Sequence, residues 1–166
     1  MQSHLVNRGL TFGTIKTGLV KGTNLSYTTT VTSAGMINGK YVSGLTAQTN
    51  QALPVVDSNT GAAFTALTDN KATVIVVGQT AAGAIAMCQG SIEDTEVGIT
   101  TTAGAFKNAP QFPKLPDDFM VFGYLLARTA PSASNWTPGT DNWAATGVTC
   151  TEFVQCGVLP DRPQTS

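Results

Sequence analysis

The side chains that could carry out chemistry are few: one histidine, three cysteines and two short acidic clusters. His4 is the only imidazole, and nothing near the chain start is expected to hold it beside a nucleophile. The chain has no phosphate-binding Gly-Lys-Ser/Thr loop, nucleophile elbow or His-Glu-x-x-His pair. We therefore expect a protein that is not an enzyme and that uses no cofactor.

The cysteines do not have the spacing of a metal site or a disulfide. Cys150 and Cys156 lie six positions apart on a predicted strand, which places them on one face but about 20 Å apart. That distance exceeds the reach of a disulfide or of two ligands on one zinc ion. Cys88 belongs to another predicted strand and could approach either of them. Buried free thiols are the ordinary interpretation.

Two acidic clusters offer oxygen ligands without the pattern of a dedicated site. Residues 93–96 (EDTE) lack the glycine and the oxygen spacing of a calcium loop. Asp117 and Asp118 precede an apolar run, where they are expected to cap or solvate the entrance of a strand. We expect no metal at either cluster.

The elements that would position these groups are strands and turns. Pro110, Pro113 and Pro116 predict an extended lead-in to a strand at residues 119–128, in which residues 119–127 are apolar at both odd and even positions. Alternation assigns the side chains of this strand to two faces: Phe119, Val121 and Leu125 to one, and Met120, Phe122, Tyr124 and Leu126 to the other. Such a strand is covered on both sides.

The other patterns are mostly hairpins. Asn38-Gly39 between β-forming residues predicts a type I′ turn, and residues 72–77 and 84–92 predict two strands joined by a turn at 80–83. Residues 93–107 read as a loop with a short strand at 96–100, and residues 148–156 as the last strand. Residues 57–60 offer capping groups for one helical turn within 61–67. The fold class is all-β, a compact β-sandwich or barrel of short antiparallel strands.

The first 33 residues differ from the rest. Their large apolar residues have neither a helical nor a strand period, which suggests an extended N-terminal arm (residues 1–33) ahead of a β domain (residues 34–166). These apolar residues are Leu5, Leu10, Phe12, Ile15 and Leu19.

The composition favours a subunit whose surface is in contact with other proteins. Charged residues make up 11% of the chain, against about a quarter in typical proteins. The net charge is −1, so no strong field attracts nucleic acid or an anionic membrane, and neither is an expected partner. A surface so poor in charge suits a subunit that neighbours cover. No secretory signal is visible in residues 1–8, which lack an apolar core.

A succession of short motifs resembles the structural proteins of tailed-bacteriophage virions, in particular the head-decoration (cement) type. The resemblance covers residues 35–163. Its motifs are residues 59–67 (NTGAAFTAL), 73–77 (TVIVV), 81–83 (AAG), 85–90 (IAMCQG), 109–113 (APQFP), 116–118 (PDD), 122–125 (FGYL), 142–147 (NWAATG) and 159–163 (LPDRP).

The resemblance implies an all-β protein on the outside of an icosahedral capsid, made in the host cytoplasm. Its implied partners are the major capsid protein and further copies of itself, often as a homotrimer. We expect the arm from Leu5 to Leu19 to pair with a neighbour, and Trp136 and Trp143 to anchor capsid or subunit contacts. The alternative for the two rings is that they cover the end of this domain's own core.

Two other functions fit parts of the sequence. Trp136, Trp143 and Tyr124 could form a sugar-stacking platform in a receptor- or glycan-binding fibre module, with Asn135, Asp141 and Asn142 as hydrogen-bonding groups. A tail structural subunit, such as a tube protein, is the other candidate. Tube subunits usually combine a long hairpin with a helix, and no helix is evident in the sequence.

Overall fold

The fold is all-β, as predicted, in a computed structural model that describes residues 11–133 and 135–164. The described residues include no helix, and hence none long and apolar enough to cross a membrane. The strands among them are β1 (Phe12–Gly13), β2 (Val20–Lys21), β3 (Ser26–Thr29), β4 (Ala34–Ile37), β5 (Lys40–Ser43), β6 (Gln48–Ala52), β7 (Lys71–Thr80), β8 (Ile85–Gln89), β9 (Glu93–Asp94), β10 (Phe119–Thr129), β11 (Val148–Cys150) and β12 (Val154–Gln155).

The central sheet is built on the two long strands, β7 and β10. They pair antiparallel, in the order β11-β10-β7-β8, with β12 also on β10 and β9 also on β7. Both strands are buried along nearly their whole length, which confirms that the apolar run of β10 is covered on both faces. The β7–β8 hairpin is also confirmed.

The predicted division of β10 into two faces is wrong beyond Phe122. The register with β7 shifts between Val121 and Gly123, a β-bulge that adds one residue to β10. Leu125 therefore packs with Met120 and Phe122, while Tyr124 joins Val121 on the opposite face. Gly123 permits this bulge, because a Cβ there would lie 2.7 Å from the carbonyl oxygen of Val154 in β12.

One side of the central sheet, here called the sheet-covered face, packs against two three-stranded sheets, β1-β4-β5 and β2-β3-β6. The small sheets contribute Tyr27 and Ile37 to a core that also contains Ile75 and Leu125. Thus apolar side chains of both layers meet as in a β-sandwich. The backbone that covers this face is hydrogen-bonded within the two small sheets.

The opposite side, here called the coil-covered face, lies beneath two irregular segments, residues 106–118 and 156–164. Phe112 contacts Tyr124 edge-on, with ring centroids 4.9 Å apart. The Tyr124 hydroxyl accepts a hydrogen bond of 3.0 Å from the backbone N–H of Gln164. One tyrosine therefore holds both segments. The lead-in that contains the prolines is non-helical, as predicted, and forms part of this cover.

The extended arm is not confirmed. Residues 11–33 instead provide β1, which pairs with β4, and β2 and β3, which form a sheet with β6. Leu19, between these strands, is completely buried in the core. Residues 1–10 lie outside the described residues.

Three local predictions had different outcomes. The Asn38-Gly39 turn is confirmed: both residues have positive φ and join β4 to β5. The helical turn predicted at 61–67 is wrong, because these residues form no helix. Asp57 instead caps a tight turn: its Oδ1 accepts from the N–H of Asn59, and its Oδ2 accepts from the N–H of Gln89 in β8. The single strand at 148–156 is also wrong. It is interrupted between β11 and β12, where Phe153 turns into the core.

Candidate contact surface

The structure places both tryptophans in the domain's own core. Trp136 is 1% exposed and Trp143 is 5% exposed, with ring centroids 6.0 Å apart. Each indole N–H donates to a backbone carbonyl, from Trp136 to Asn142 and from Trp143 to Ser26. These rings match the alternative interpretation, in which they cover this chain's own core, and neither presents a surface to a partner.

The predicted contact residues of the arm lie in different environments. Leu5 and Leu10 lie outside the described residues. Phe12 is half-buried in β1, Leu19 is in the core and Ile15 is exposed. Of the described members, therefore, only Ile15 has an exposed apolar side chain, and it is 44% exposed.

The three rings proposed as a sugar platform do not come together. Tyr124 is fully buried on the coil-covered face, whereas Trp136 and Trp143 belong to the sheet-covered face. The bulge in β10 decides this separation, because it sets the face on which Tyr124 lies. These rings form no exposed stacking surface.

The largest exposure of apolar side chains occurs on residues 95–106, here called the apolar hairpin. Val97 is 76% exposed and Ile99 is 80% exposed. The hairpin is closed by bridges between Thr95 and Phe106 and between Ile99 and Thr102. Large exposed apolar side chains often mark a site where a partner binds and buries them. This hairpin is therefore the strongest candidate for a contact surface.

Two glycines allow the two sides of the apolar hairpin to approach closely. A Cβ at Gly98 would lie 2.0 Å from the carbonyl oxygen of Thr102, and one at Gly104 would lie 1.9 Å from that of Glu96. No side chain fits at such distances, so glycine is required at both positions. Thr100 takes a positive φ of 48° at the turn.

Side chains and backbone outside the hairpin fix its position. The Arg128 guanidinium donates to the carbonyl of Gly104 at 2.9 Å and lies 5.4 Å from the centre of the Phe106 ring. The Asn70 side-chain oxygen accepts from the N–H of Gly98, and the N–H of Ser132 donates to the carbonyl of Thr100. Val97 and Ile99 are therefore presented by a segment that is anchored on several sides, which lowers the entropy cost of binding.

The acidic cluster beside this hairpin is used within the fold. Lys71 forms a salt bridge with Asp94, and its hydrogen bond and positive charge lower the pKa of that carboxyl group. Glu93 accepts from the Ser91 hydroxyl. Within residues 11–133 and 135–164, no group of three metal-ligating side chains comes together.

The cysteines in the described residues are free thiols. Burial raises the pKa of the Cys88 thiol to about 12, and the nearby Asp57 carboxylate adds to this shift. Burial also raises the pKa of Cys150 to about 12. A thiol held in its neutral form is a poor nucleophile and a poor metal ligand.

Val97 and Ile99 were missed by the sequence analysis, which treated residues 93–107 as a loop with one short strand. The available signal was the alternation of Val97 and Ile99 with Gly98, followed by a second glycine at 104. Glycine spacing alone does not show that two backbones touch, since that contact depends on the anchors at Asn70 and Arg128.

Comparison of the chain with protein-family models, curated proteins and solved structures finds no match in any of the three.

Proposed function

We propose that this protein is a decoration (cement) protein of a tailed-bacteriophage head, binding the outer surface of the assembled capsid and stabilising it through contacts between subunits. The observation that carries the proposal is the exposure of Val97 and Ile99 on an anchored hairpin. A chain with 11% charged residues and an all-β fold supports it further.

The proposed mechanism is mass action. A ligand that binds the assembled shell but not its separated subunits stabilises the shell in proportion to its affinity and concentration. The apolar hairpin contributes because Val97 and Ile99 leave water in the complex, whereas the free protein exposes them. Its anchored backbone keeps both side chains in place before binding.

The first test measures binding to expanded, undecorated capsids of the corresponding virus. We expect saturable binding at a fixed ratio to the major capsid protein and a higher melting temperature of the shell. Undecorated capsids incubated with an unrelated protein of similar size serve as the control. Wild-type protein that does not bind the shell contradicts the proposed function.

The second test asks whether the apolar hairpin forms the contact. The double variant Val97→Ser/Ile99→Ser is expected to lose about 2–4 kcal/mol of binding free energy, roughly 30-fold or more in affinity. Val31→Ser/Val55→Ser is a matched control, since it removes two exposed valines elsewhere. Equal binding by the two variants would assign the contact to another surface.

A further inference from the structure

The turn between β4 and β5 places an exposed asparagine directly before an exposed glycine. Asn38 and Gly39 have positive φ values of 49° and 76°. Within residues 11–133 and 135–164, neither the Asn38 side chain nor the Gly39 N–H makes a hydrogen bond. Glycine also has no side chain that could shield its nitrogen. The two groups are therefore free to react with each other.

The reaction open to this pair is deamidation. The Gly39 nitrogen, once a base in the solvent has removed its proton, attacks Cγ of Asn38. The new C–N bond closes a five-membered succinimide ring, while the bond from Cγ to the side-chain nitrogen breaks and that nitrogen takes up a proton and leaves as ammonia. Water then opens the ring at one of its two carbonyls, which gives aspartate or isoaspartate. The reaction consumes water and changes no oxidation state.

Other asparagines with positive φ lack this combination. Asn24, Asn50 and Asn70 are followed by leucine, glutamine and lysine, whose side chains hinder attack by the next backbone nitrogen. Their side-chain oxygens also accept hydrogen bonds within the fold. Asn38 is therefore distinguished from them both by its neighbour and by its free side chain.

The folded turn restrains the reaction at Asn38. In a type I′ turn the first central residue has a ψ of about +30°, which directs the next nitrogen away from its side chain. The N–H of Asn38 donates to the Thr11 hydroxyl at 3.1 Å, and Ile37 pairs with Lys40 across the turn. The turn must therefore open before the ring can close.

We propose that Asn38 is a site of spontaneous deamidation, and that opening of the β4–β5 hairpin sets its rate. Among the described strands, β5 has four residues and pairs only with β4, so its opening breaks few contacts. The isoaspartate product adds a methylene group to the main chain of the turn, so Ile37 and Lys40 no longer lie opposite each other. Conversion therefore loosens β5 and adds a negative charge. This inference does not rest on the proposed capsid function.

The test incubates the full chain at mildly alkaline pH, folded or in guanidinium chloride, and follows each asparagine by peptide mass spectrometry. We expect conversion at Asn38 in both samples, faster as pH rises, because a base must deprotonate the Gly39 nitrogen. Folding should slow this conversion roughly tenfold or more, the factor by which closed hairpins outnumber open ones. Asn108 is exposed but precedes alanine, so it is the internal control and should react far more slowly in both samples.

Variants test the role of the hairpin. Thr11→Val removes the hydroxyl that accepts from Asn38 and should speed conversion in the folded chain about two- to tenfold. Thr65→Val is the matched control, since Thr65 is exposed and uses only its backbone in hydrogen bonds among the described residues. Both variants should react like the wild type in guanidinium chloride. Asn38→Asp keeps a residue suited to the turn and should release no ammonia from this peptide.

The consequence for β5 is measured on the isoaspartate form after separation by ion exchange. Hydrogen exchange in residues 40–43 should be faster than in the unmodified protein, with residues 120–127 of β10 unchanged. Equal exchange in residues 40–43 would show that the product does not loosen β5.

Three other outcomes would overturn the inference. Conversion at Asn108 as fast as at Asn38 would remove the assignment of the site. Equal rates in the folded and denatured wild type, or in folded Thr11→Val and Thr65→Val, would show that the hairpin does not control the reaction. Absence of conversion in both the folded wild type and Thr11→Val, over about a hundred conversion times of the denatured chain, would show that the hairpin stays closed.

Discussion

On the sheet-covered face, Trp143 and Leu19 are enclosed by strands that pair with one another. On the coil-covered face, Tyr124 and Val121 lie under two irregular segments that form no β-sheet with each other. The first cover is held by many backbone hydrogen bonds that form together. The second depends on a few side-chain contacts, chiefly those of Tyr124. We infer that the coil-covered face opens locally at a lower free energy than the sheet-covered face.

Prolines explain how a cover without strands is tolerated. Pro110 and Pro163 are buried in the covering segments and have no N–H group to satisfy. A chain with fewer backbone donors can lie on an apolar surface at a smaller desolvation cost. The two cores are therefore closed by two different kinds of backbone.

The largest effect is expected from removing Trp136, which fills the sheet-covered core. Trp136→Ala should lower the free energy of unfolding by about 3–5 kcal/mol, through the cavity and the lost hydrogen bond to Asn142. Phe112→Ala on the coil-covered face should cost roughly half of that, because this ring is only partly buried. Urea denaturation followed by circular dichroism measures both. Equal losses would contradict the difference between the faces.

A smaller effect is expected at the bulge that assigns side chains to the two faces. In Gly123→Ala the new Cβ would meet the Val154 carbonyl at 2.7 Å, so β12 must shift, at a cost of about 1–3 kcal/mol. Hydrogen exchange should increase in residues 153–156 more than in β8. Wild-type stability in this variant would show that β12 is not pressed against the bulge.

Tyr124→Phe removes one hydroxyl and keeps the ring against Phe112. Because Gln164 loses its acceptor, we expect a loss of about 0.5–1.5 kcal/mol in unfolding free energy. The amide of Gln164 should exchange faster, while residues 20–29 serve as the unchanged control. If Gln164 exchanges at the wild-type rate, the hydroxyl does not hold the C-terminal cover.

The smallest effect concerns pH. The pKa of Cys88 is raised to about 12 in the folded protein, so the neutral thiol stabilises the fold below the unfolded pKa of about 8.5. That stability is lost as pH rises above this value, because the unfolded thiol ionises first. Between pH 7 and 8.5 the loss from Cys88 is about 0.4 kcal/mol. Cys88→Ala should show a correspondingly flatter decline in denaturant midpoints, and an identical decline would contradict the assignment.

The elements predicted correctly are those whose signals are local. Asn38-Gly39 specifies its turn by backbone preference alone, and the long apolar runs specify β7 and β10. The bulge at Phe122 was not predicted, because it exists only in the register between two strands. The same limit applies to residues 11–33, whose irregular pattern is resolved only when β4 and β6 supply partners.

The candidate surface shows the same division. The sequence contains large apolar residues at 97, 99, 136 and 143 without showing which of them face water. Folding buries the tryptophans beside Leu67 and Phe153, and it leaves Val97 and Ile99 exposed on the apolar hairpin. Which of these side chains remain exposed depends on long-range contacts, such as the hydrogen bond from Arg128 to the carbonyl of Gly104.

The sequence by itself determined an all-β chain that is poor in charge, with two long buried strands and few groups able to do chemistry, because composition and alternation act residue by residue. Only the tertiary structure decided which side chains share a face, which cover lies over each core and which apolar groups remain in water. Those outcomes depend on strand register and on contacts between residues far apart in the chain, and no local pattern encodes either.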